Sequence, residues 1–340
     1  MTLTLPPVKA EASRVLRTTV GLRPYRPDGF VVRAERIGDK VVVHDYGHGG
    51  SGMTLCWGTA QMAIELALYN LGRTAAVIGC GVIGLTTARL LQRRGVQVTI
   101  YTTDEPPNTT SDVSGAFWAP FGLVDDGHLT QEITDRVVKA ARIAYAEFEQ
   151  LLPDPRYAIR KIPIYYIDDE APSPGIEMTL LPDLFSGPRL KPGEHPWGKR
   201  EVMVVQGMCM DPSPFLGALR EDVLLDGGKI VRKTVASRTD IASVPEPVVF
   251  NCAGLGSREL ASDPELIPMK GQLTIFEGQP EIEYMIALER ERIYMMPRRD
   301  SIVVGTSKIR NDWTLDPDPT ETARVIDGIR RLQAKGGDLR

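Results

Sequence analysis

The chain has 340 residues, of which 25% are charged and 42% hydrophobic, and its formal net charge is −4. These values are ordinary for a globular protein and lack the basic footprint of a nucleic-acid-binding protein. No apolar run approaches the roughly 18 residues that a membrane span requires, and residues 1–13 lack a signal-peptide pattern. The four cysteines are scattered without a CxxC pair, which favours a reduced, cytoplasmic protein. We therefore expect no nucleic-acid, membrane or metal partner.

The first predicted elements are an extended lead-in at residues 1–13 and a short strand at 15–20. A turn-dense segment follows at 21–29 and presents two arginines, Arg23 and Arg26. Prolines in this segment restrict the backbone around Arg23. We therefore expect Arg23 to project from a pre-ordered loop.

Two further strands are predicted at residues 30–36 and 40–44, joined by a tight turn at Gly38-Asp39. A glycine-rich loop, Asp45-Tyr46-Gly47-His48-Gly49-Gly50-Ser51-Gly52, leads directly into a helical pattern at 53–69. Such a loop either links two lobes flexibly or forms an anion-binding helix N-terminus. Both interpretations are open at this point.

The most specific motif is Gly79-Cys80-Gly81-Val82-Ile83-Gly84, a Gly-x-Gly-x-x-Gly turn. It follows an apolar strand pattern at 75–78 and precedes a helical pattern at 85–94 and a second strand at 96–101. This strand–turn–helix–strand order is typical of a dinucleotide-binding βαβ unit. The motif therefore predicts nucleotide contacts from Gly79, Gly81, Val82, Ile83 and Gly84.

The rest of the chain alternates between helical and strand patterns. Residues 172–196 are proline-rich and irregular, and Asp211 is predicted to cap a helix. The remaining predicted elements are helices at 129–152, 214–225 and 320–334, and strands at 161–167, 201–205, 229–233, 248–251, 293–297 and 301–305. Together with the βαβ unit they predict an α/β fold.

Four motifs resemble the D-amino acid oxidase family and its glycine and sarcosine oxidase relatives. Residues 21–27 and 46–52 resemble the C-terminal signature of that family. The Gly79 motif and residues 109–120 resemble its N-terminal signature. The order of the two signatures is swapped in this chain. The simplest explanation is a circular permutation that places the family's last segment before its first strand.

The resemblance implies a Rossmann-like FAD-binding domain and a discontinuous substrate-binding domain built on an antiparallel sheet. The predicted FAD-binding domain comprises residues 36–139 and 201–271, and the substrate-binding domain comprises 1–35, 140–200 and 272–340. The resemblance also implies that FAD is bound noncovalently. In this interpretation the glycine-rich loop serves both the flavin and the substrate.

The resemblance further implies a set of cofactor residues. The segment 251–256 resembles the family's second nucleotide-contact strand. For the ribose, Asp104 has the usual offset from the glycine motif, whereas Thr103 aligns with the family's acidic residue. The expected contacts beyond the glycine motif are Gly49, Gly50, Ser51, Gly52, Met53, Thr54, Thr103, Asp104, Thr110, Ser111, Ser114, Gly115, Cys252, Ala253 and Gly254.

Three residues are expected to handle the substrate. Arg23 aligns with the arginine that binds the substrate carboxylate, and a guanidinium can do so with two hydrogen bonds. Tyr294 aligns with a tyrosine that donates to the same carboxylate, and the Gly50 carbonyl could accept from the amine. Oxidases of the family often carry a second tyrosine a few residues upstream of this one. In this chain residues 291–293, Glu-Arg-Ile, occupy that place. His48 is expected to be structural.

The resemblance implies FAD-dependent oxidation of an amino acid, with the D enantiomer favoured, to an imino acid that hydrolyses to the keto acid. O2 would be reduced to H2O2, so the expected partners are an amino acid and O2, with a homodimer left open. Alternatives are a glycine, sarcosine or cyclic amino acid oxidase, an NAD(P)-dependent dehydrogenase, and a non-catalytic flavin-binding protein.

Overall fold

A computed structural model describes residues 3–125, 127–169 and 175–334 of the chain. The helices in these ranges are α1 Gly52–Ala67, α2 Val82–Gln92, α3 Gln131–Leu151, α4 Ile176–Leu180, α5 Pro212–Leu225, α6 Arg238–Ala242, α7 Ser257–Leu260 and α8 Pro319–Gln333. The strands are β1 Val15–Tyr25, β2 Val31–Ile37, β3 Lys40–Tyr46, β4 Thr74–Ile78, β5 Gln97–Thr102, β6 Ile159–Asp168, β7 Arg189–Leu190, β8 Glu201–Met210, β9 Lys229–Arg232, β10 Val248–Asn251, β11 Ile267–Glu277, β12 Met285–Leu288, β13 Ile293–Pro297, β14 Ser301–Gly305 and β15 Ile309–Arg310.

One sheet has six strands in the order β2-β3-β10-β4-β5-β9. All neighbours in it are parallel except β2 and β3, which pair antiparallel across the turn at Gly38. The apolar strands β3 and β10 are buried along their whole length, as expected of a parallel sheet covered on both faces. The carboxyl ends of β4, β5 and β10 meet at one edge of the sheet, where open α/β folds bind their ligands.

Helix α1 packs against both α2 and α3 beside this sheet. A methyl group added to Gly58 would lie 1.9 Å from the carbonyl oxygen of Ala140 in α3. The close approach of the two helices therefore depends on a glycine at this position. Helix α1 ends at Ala67 and β4 begins at Thr74, so six residues join the glycine-rich loop and its helix to the βαβ unit.

A second sheet has nine strands, with β1-β11-β14-β13-β12-β6-β8-β7 in order and β15 also pairing with β11. It is antiparallel apart from the parallel pair β12 and β6. Strand β1 pairs with β11 along almost its full length, including Gly21 opposite Gly271 and Arg23 opposite Met269. The expected strand at 15–20 therefore continues to Tyr25, and Arg23 lies on a strand rather than in a loop. Pro24 is tolerated because β1 is the edge strand.

Two other local predictions differ from the structure. The irregular segment 172–196 contains the short helix α4 and strand β7 in its described part. Asp211 stands at the N-cap of α5, but its side chain does not cap that helix. Its carboxylate instead accepts a hydrogen bond from the backbone N–H of Arg299, at 3.0 Å. Tertiary contact with the β13–β14 turn thus replaces the local cap.

The two sheets provide a physical basis for the proposed division into domains. Strand β2 belongs to the parallel sheet, whereas β8 and β11 belong to the nine-stranded sheet. A division by sheet therefore shifts the proposed boundaries at 36, 201 and 271. Within the described ranges, no helix is long and apolar enough to span a membrane.

Candidate active site

A cavity of about 540 Å³ lies between the two sheets. On one side it is lined by the Gly79 turn and the residues that follow β5 and β10. On the other side it is lined by the glycine-rich loop and by Arg23, Tyr294 and Thr306. The fold thus brings both glycine motifs and the two candidate substrate residues together, although Arg23 and Tyr294 are 271 positions apart.

The Gly79 turn has the geometry that its glycines predict. Gly79 has a φ of +102°, and a methyl group on it would lie 2.5 Å from the carbonyl oxygen of Cys252. A methyl group on Gly84 would lie 2.0 Å from the carbonyl oxygen of Gly79. Helix α2 begins at Val82, whose N–H donates to the Ser111 hydroxyl at 3.1 Å. Gly84 is absent from the cavity lining, so its role is to let α2 pack against the turn.

The lining beyond this turn includes most of the other expected cofactor residues. Thr103 and Asp104 both line the cavity, so the choice of ribose contact stays open between them. Residues 233–236 also line it, although the sequence indicated no site there, only a strand at 229–233. The Lys233 ammonium lies 5.6 Å from the ring centroid of Tyr101. The other expected residues in the lining are Gly79, Gly81, Val82, Ile83, Thr110, Ser111, Ser114, Gly115, Cys252, Ala253 and Gly254.

The glycine-rich loop packs against the segment 119–122. Gly49 has a φ of +55°, and a methyl group on it would lie 2.3 Å from the carbonyl oxygen of Gly122. The N–H of Gly50 donates to the same oxygen at 3.0 Å. These contacts require glycine and hold the loop in one position, which favours a built site over a flexible linker.

Two expected contacts at the start of α1 do not line the cavity. Ser51 donates its hydroxyl to the carbonyl oxygen of Phe121 at 2.6 Å, and Thr54 donates to that of Ala119 at 2.9 Å. Both side chains therefore anchor the segment 119–122. The lining residues of this region are Gly49, Gly50, Gly52 and Met53.

Arg23 lines the end of the cavity that the nine-stranded sheet forms. It donates to the Thr306 hydroxyl at 2.6 Å and to the carbonyl oxygen of Ser307 at 3.2 Å. Its guanidinium occupies the space above Gly271, where a methyl group would lie 2.1 Å from Nη2. Burial lowers the pKa of Arg23 to about 10. Among the described residues no carboxylate lies within 4 Å of it, so a bound anion would supply its counter-charge.

Arg26 has a different environment from that of Arg23. Its guanidinium pairs with Asp263 at 2.7 Å and with Glu265 at 2.8 Å. It does not line the cavity. These ion pairs indicate a structural role for Arg26.

Tyr294 stands in an aromatic wall of the cavity. Its ring stacks on Phe121 at a centroid distance of 6.1 Å and lies 6.5 Å from the centroid of Phe117. Its hydroxyl donates to Glu289 at 2.8 Å. The sequence predicted the tyrosine but missed Phe117, Phe121, Thr306 and Glu289, because no local pattern marks residues that meet only through the tertiary fold.

His48 is held by its neighbours. Its Nε2 atom lies 3.0 Å from the Thr59 hydroxyl and 3.2 Å from Asp45 Oδ1. Its ring stacks on Phe30. These contacts support a structural role. Asp45 lines the cavity, and neither of its buried oxygens makes a well-aligned hydrogen bond in the described structure.

The cavity fits a dinucleotide. It combines a helix N-terminus at a glycine turn, a lining that reaches both sheets, and the buried Asp45 carboxylate, whose Oδ2 atom has no partner in the described structure and could accept from a hydroxyl group of a ligand. A metal centre is not indicated: the described residues contain no group of three or more histidine, cysteine, aspartate or glutamate side chains that could hold one.

Comparisons with known proteins agree with this geometry. Residues 74–339 match the family model described as DAO, FAD dependent oxidoreductase. A D-amino-acid oxidase of Streptomyces coelicolor is 30% identical over 258 residues, which is 74% of each protein. Another, from Rubrobacter xylanophilus, is 30% identical over 288 residues, or 78% of each.

Solved structures show the same fold at lower identity. A glycine oxidase from Geobacillus kaustophilus has a TM-score of 0.60 at 12% identity and covers 78% of this chain and 80% of its own. A glycine oxidase from Bacillus cereus has a TM-score of 0.58 at 17% identity and covers 77% and 78%. The chain therefore belongs to the DAO family of FAD-dependent oxidoreductases.

Proposed function

We propose that this protein oxidises an amino acid, with the D enantiomer favoured, to the corresponding imino acid. The observation that carries the proposal is Arg23, a cation without a carboxylate partner among the described residues, in the same cavity as the Gly79 turn. The two D-amino-acid oxidases at 30% identity support the choice of substrate and enantiomer.

The residues of the nucleotide end would hold FAD. The start of α2 at Val82 would face the pyrophosphate, with Gly81 leaving room for the backbone to approach it. Bound FAD supplies the acceptor for the hydride of the substrate α-carbon. We propose that the FAD is held noncovalently.

The substrate would be positioned by groups at the other end. Arg23 binds the α-carboxylate bidentately and fixes the orientation of the α-carbon. The phenol of Tyr294 donates to the same carboxylate. The carbonyl oxygen of Gly50 accepts a hydrogen bond from the amine, which must be neutral for hydride transfer. The N-terminus of α1, beginning at Gly52, provides a positive dipole end that favours developing negative charge.

The chemistry after oxidation follows from the imino acid product. Water hydrolyses it to the keto acid and ammonia, and O2 takes the two electrons and is released as H2O2. A glycine- or sarcosine-type substrate is a second candidate, but the glycine oxidase structures are similar at 12–17% identity and support the fold alone. The NAD(P)-dependent alternative is set aside because the family is FAD-dependent.

The test is a peroxide-coupled screen of the FAD-loaded protein against D- and L-amino acids, glycine, sarcosine and cyclic amino acids. We expect peroxide with at least one D-amino acid, a slower rate with its L enantiomer, and stoichiometric keto acid and ammonia. Exclusive turnover of glycine or sarcosine would support the second candidate. Turnover of no amino acid by a flavin-loaded protein would refute the proposal.

A further inference from the structure

Three adjacent strands of the nine-stranded sheet place two tyrosines on one face with an alanine between them. Ala287 in β12 pairs with Tyr166 in β6 on one side and with Tyr294 in β13 on the other. Directly paired residues point to the same face of a sheet, and two strand spacings amount to about 10 Å. Ala287 contributes only a methyl group to this face, and we call the position above it, between the two tyrosine side chains, the gap.

The hydroxyl groups of these tyrosines have unequal partners. Tyr294 donates to Glu289 at 2.8 Å. The Tyr166 side chain is 1% exposed, and its hydroxyl has no hydrogen-bond partner in the described part of the chain. Buried polar groups are nearly always paired, so this orphaned hydroxyl, two strands away from the cavity-lining Tyr294, is available to a ligand atom.

Two carboxylates act on these tyrosines, and one of them, Glu289, accepts the hydrogen bond from Tyr294. Glu177 in α4 and Glu289 both interact electrostatically with Tyr166. Burial, and after it the charge of Glu289, raises the pKa of Glu177 to about 7. In the described structure neither carboxylate has an arginine, lysine or histidine within 4 Å. Buried carboxylates normally have such a partner, so this pair is suited to an incoming cation.

Lys308 is the competing charge at the rim of the gap. Its ammonium lies 6.0 Å from the ring centroid of Phe121, which stacks on Tyr294. Its positive charge acts on both Glu289 and Glu177. Burial lowers the pKa of the Lys308 ammonium, whereas the residue as a whole is exposed, so its side chain can move toward solvent without opening the core.

We propose that Glu289, Glu177 and Tyr166 bind the positively charged end of the substrate side chain, so that the substrate class is a basic amino acid. This inference rests on the proposed amino acid oxidation. The Tyr294 phenol has a single proton, which is directed at Glu289 in this structure. A cation bound to Glu289 releases that proton to the α-carboxylate. Basic substrates thereby gain a contact for the side chain and a better contact for the carboxylate.

The test compares kcat/KM for D-lysine with that for D-norleucine, which has the same chain length without the ammonium group. We expect the wild type to prefer D-lysine at least tenfold. Glu177→Gln and Glu289→Gln should each reduce this ratio at least fivefold. Lys308→Met should raise it, because it removes the competing cation. The control Glu65→Gln, whose carboxylate pairs with Lys139 at 2.9 Å outside the cavity, should leave it unchanged.

Tyr166→Phe provides a variant that cannot lose a protein hydrogen bond. We expect it to lower the D-lysine to D-norleucine ratio about two- to fivefold at unchanged thermal stability. Equal rates for both substrates, or a ratio that all four site variants leave unchanged, would overturn the inference while the proposed function stands. Equal losses on both substrates in Glu289→Gln would also overturn it, since they would assign Glu289 to the α-amino group.

A binding measurement separates the two proposals. If neither substrate is oxidised, calorimetric titration of the FAD-loaded protein decides. D-lysine binding that weakens in Glu289→Gln would support the cation site and refute the oxidase function. Absence of binding for both amino acids would overturn the function and the inference together.

Discussion

Replacing Arg23 tests the origin of substrate binding most directly. The structure gives its guanidinium two neutral hydrogen-bond acceptors and no carboxylate among the described residues. The substrate carboxylate would then form a charge pair with it in a largely dehydrated site. Truncating one partner of such a pair costs about 2–5 kcal/mol, and each 1.4 kcal/mol corresponds to a tenfold change in rate. Arg23→Ala should therefore lower kcat/KM by about 30-fold to several thousandfold.

Arg26→Ala is the matched control. It removes the same side chain three residues away, but from a guanidinium that Asp263 and Glu265 already neutralise outside the cavity. We expect less than a fivefold change in kcat/KM. Both variants should retain the flavin absorption spectrum, because neither substitution touches the Gly79 turn.

A substrate amide distinguishes carboxylate binding from general damage to the site. The wild type should prefer an amino acid over its primary amide by a factor similar to the loss in Arg23→Ala. That variant should show almost no preference. Equal, mild effects from both arginine variants, or an undiminished preference for the acid in Arg23→Ala, would refute the assignment.

The remaining predictions concern the cofactor and acid stability. A methyl group at residue 84 would overlap the carbonyl oxygen of Gly79, so Gly84→Ala should purify with less than a tenth of the wild-type FAD. A full flavin complement in the variant would contradict this view of the turn. Acid denaturation of the wild type should release its flavin into the supernatant. Hydrogen bonds from Arg238 and His44 lower the pKa of Glu35 to about 2, so this carboxylate stabilises the fold above pH 4.5. Because solvent screens this partly exposed group, we expect a contribution of about 1 kcal/mol, which is lost as pH falls toward 2. In urea unfolding, the wild type should have a higher free energy of unfolding than Glu35→Gln at pH 7, and this difference should narrow below pH 4.5. A difference that does not change with pH would refute the role of the Glu35 carboxylate.

The local elements followed from the sequence because local rules determine them. The strand before Gly79, the glycine turn and helix α2 combine β-branched residues, positive-φ glycine and helical spacing, and each signal lies within a few residues. The hairpin of β13 and β14 is likewise a local pattern. The family resemblance added the expectation that Arg23 and Tyr294 belong to one site.

The missed features depend on long-range pairing. Strand β1 reaches Tyr25 only because β11, some 240 residues later, offers it a partner along its whole length. Asp211 accepts from Arg299 rather than from its own helix for the same reason. Glu289 stands in the mixed-charge sequence Glu289-Arg290-Glu291-Arg292, in which no local signal distinguishes the carboxylate that Tyr294 contacts. Propensity cannot override tertiary contacts of this kind.

The swapped order of the two signatures is the remaining structural proposal, and three features support a circular permutation. The family match begins at residue 74, the first residue of β4. Six residues suffice to connect α1 to that strand. Leu3 and Leu332, near the two ends of the described chain, pack on the same hydrophobic cluster.

A chain rearranged to residues 74–340 followed directly by 1–73 would restore the expected family order. In the rearranged chain the eight residues 335–340 and 1–2 would join the described ends, and eight extended residues can span about 26 Å. They therefore impose little strain if the ends are near each other, and no contact of the Arg23–Tyr294 cavity is cut. We expect the rearranged protein to bind FAD and to keep kcat/KM within about threefold of the original chain. As a control, a rearranged chain whose termini lie in the middle of β11 would divide the strand that pairs with β1 around Arg23. We expect this control to fail to fold. The permutation would be contradicted if the rearranged chain aggregated or lost FAD while the original chain did neither. The contacts that form the cavity would then depend on the order of the segments in the chain.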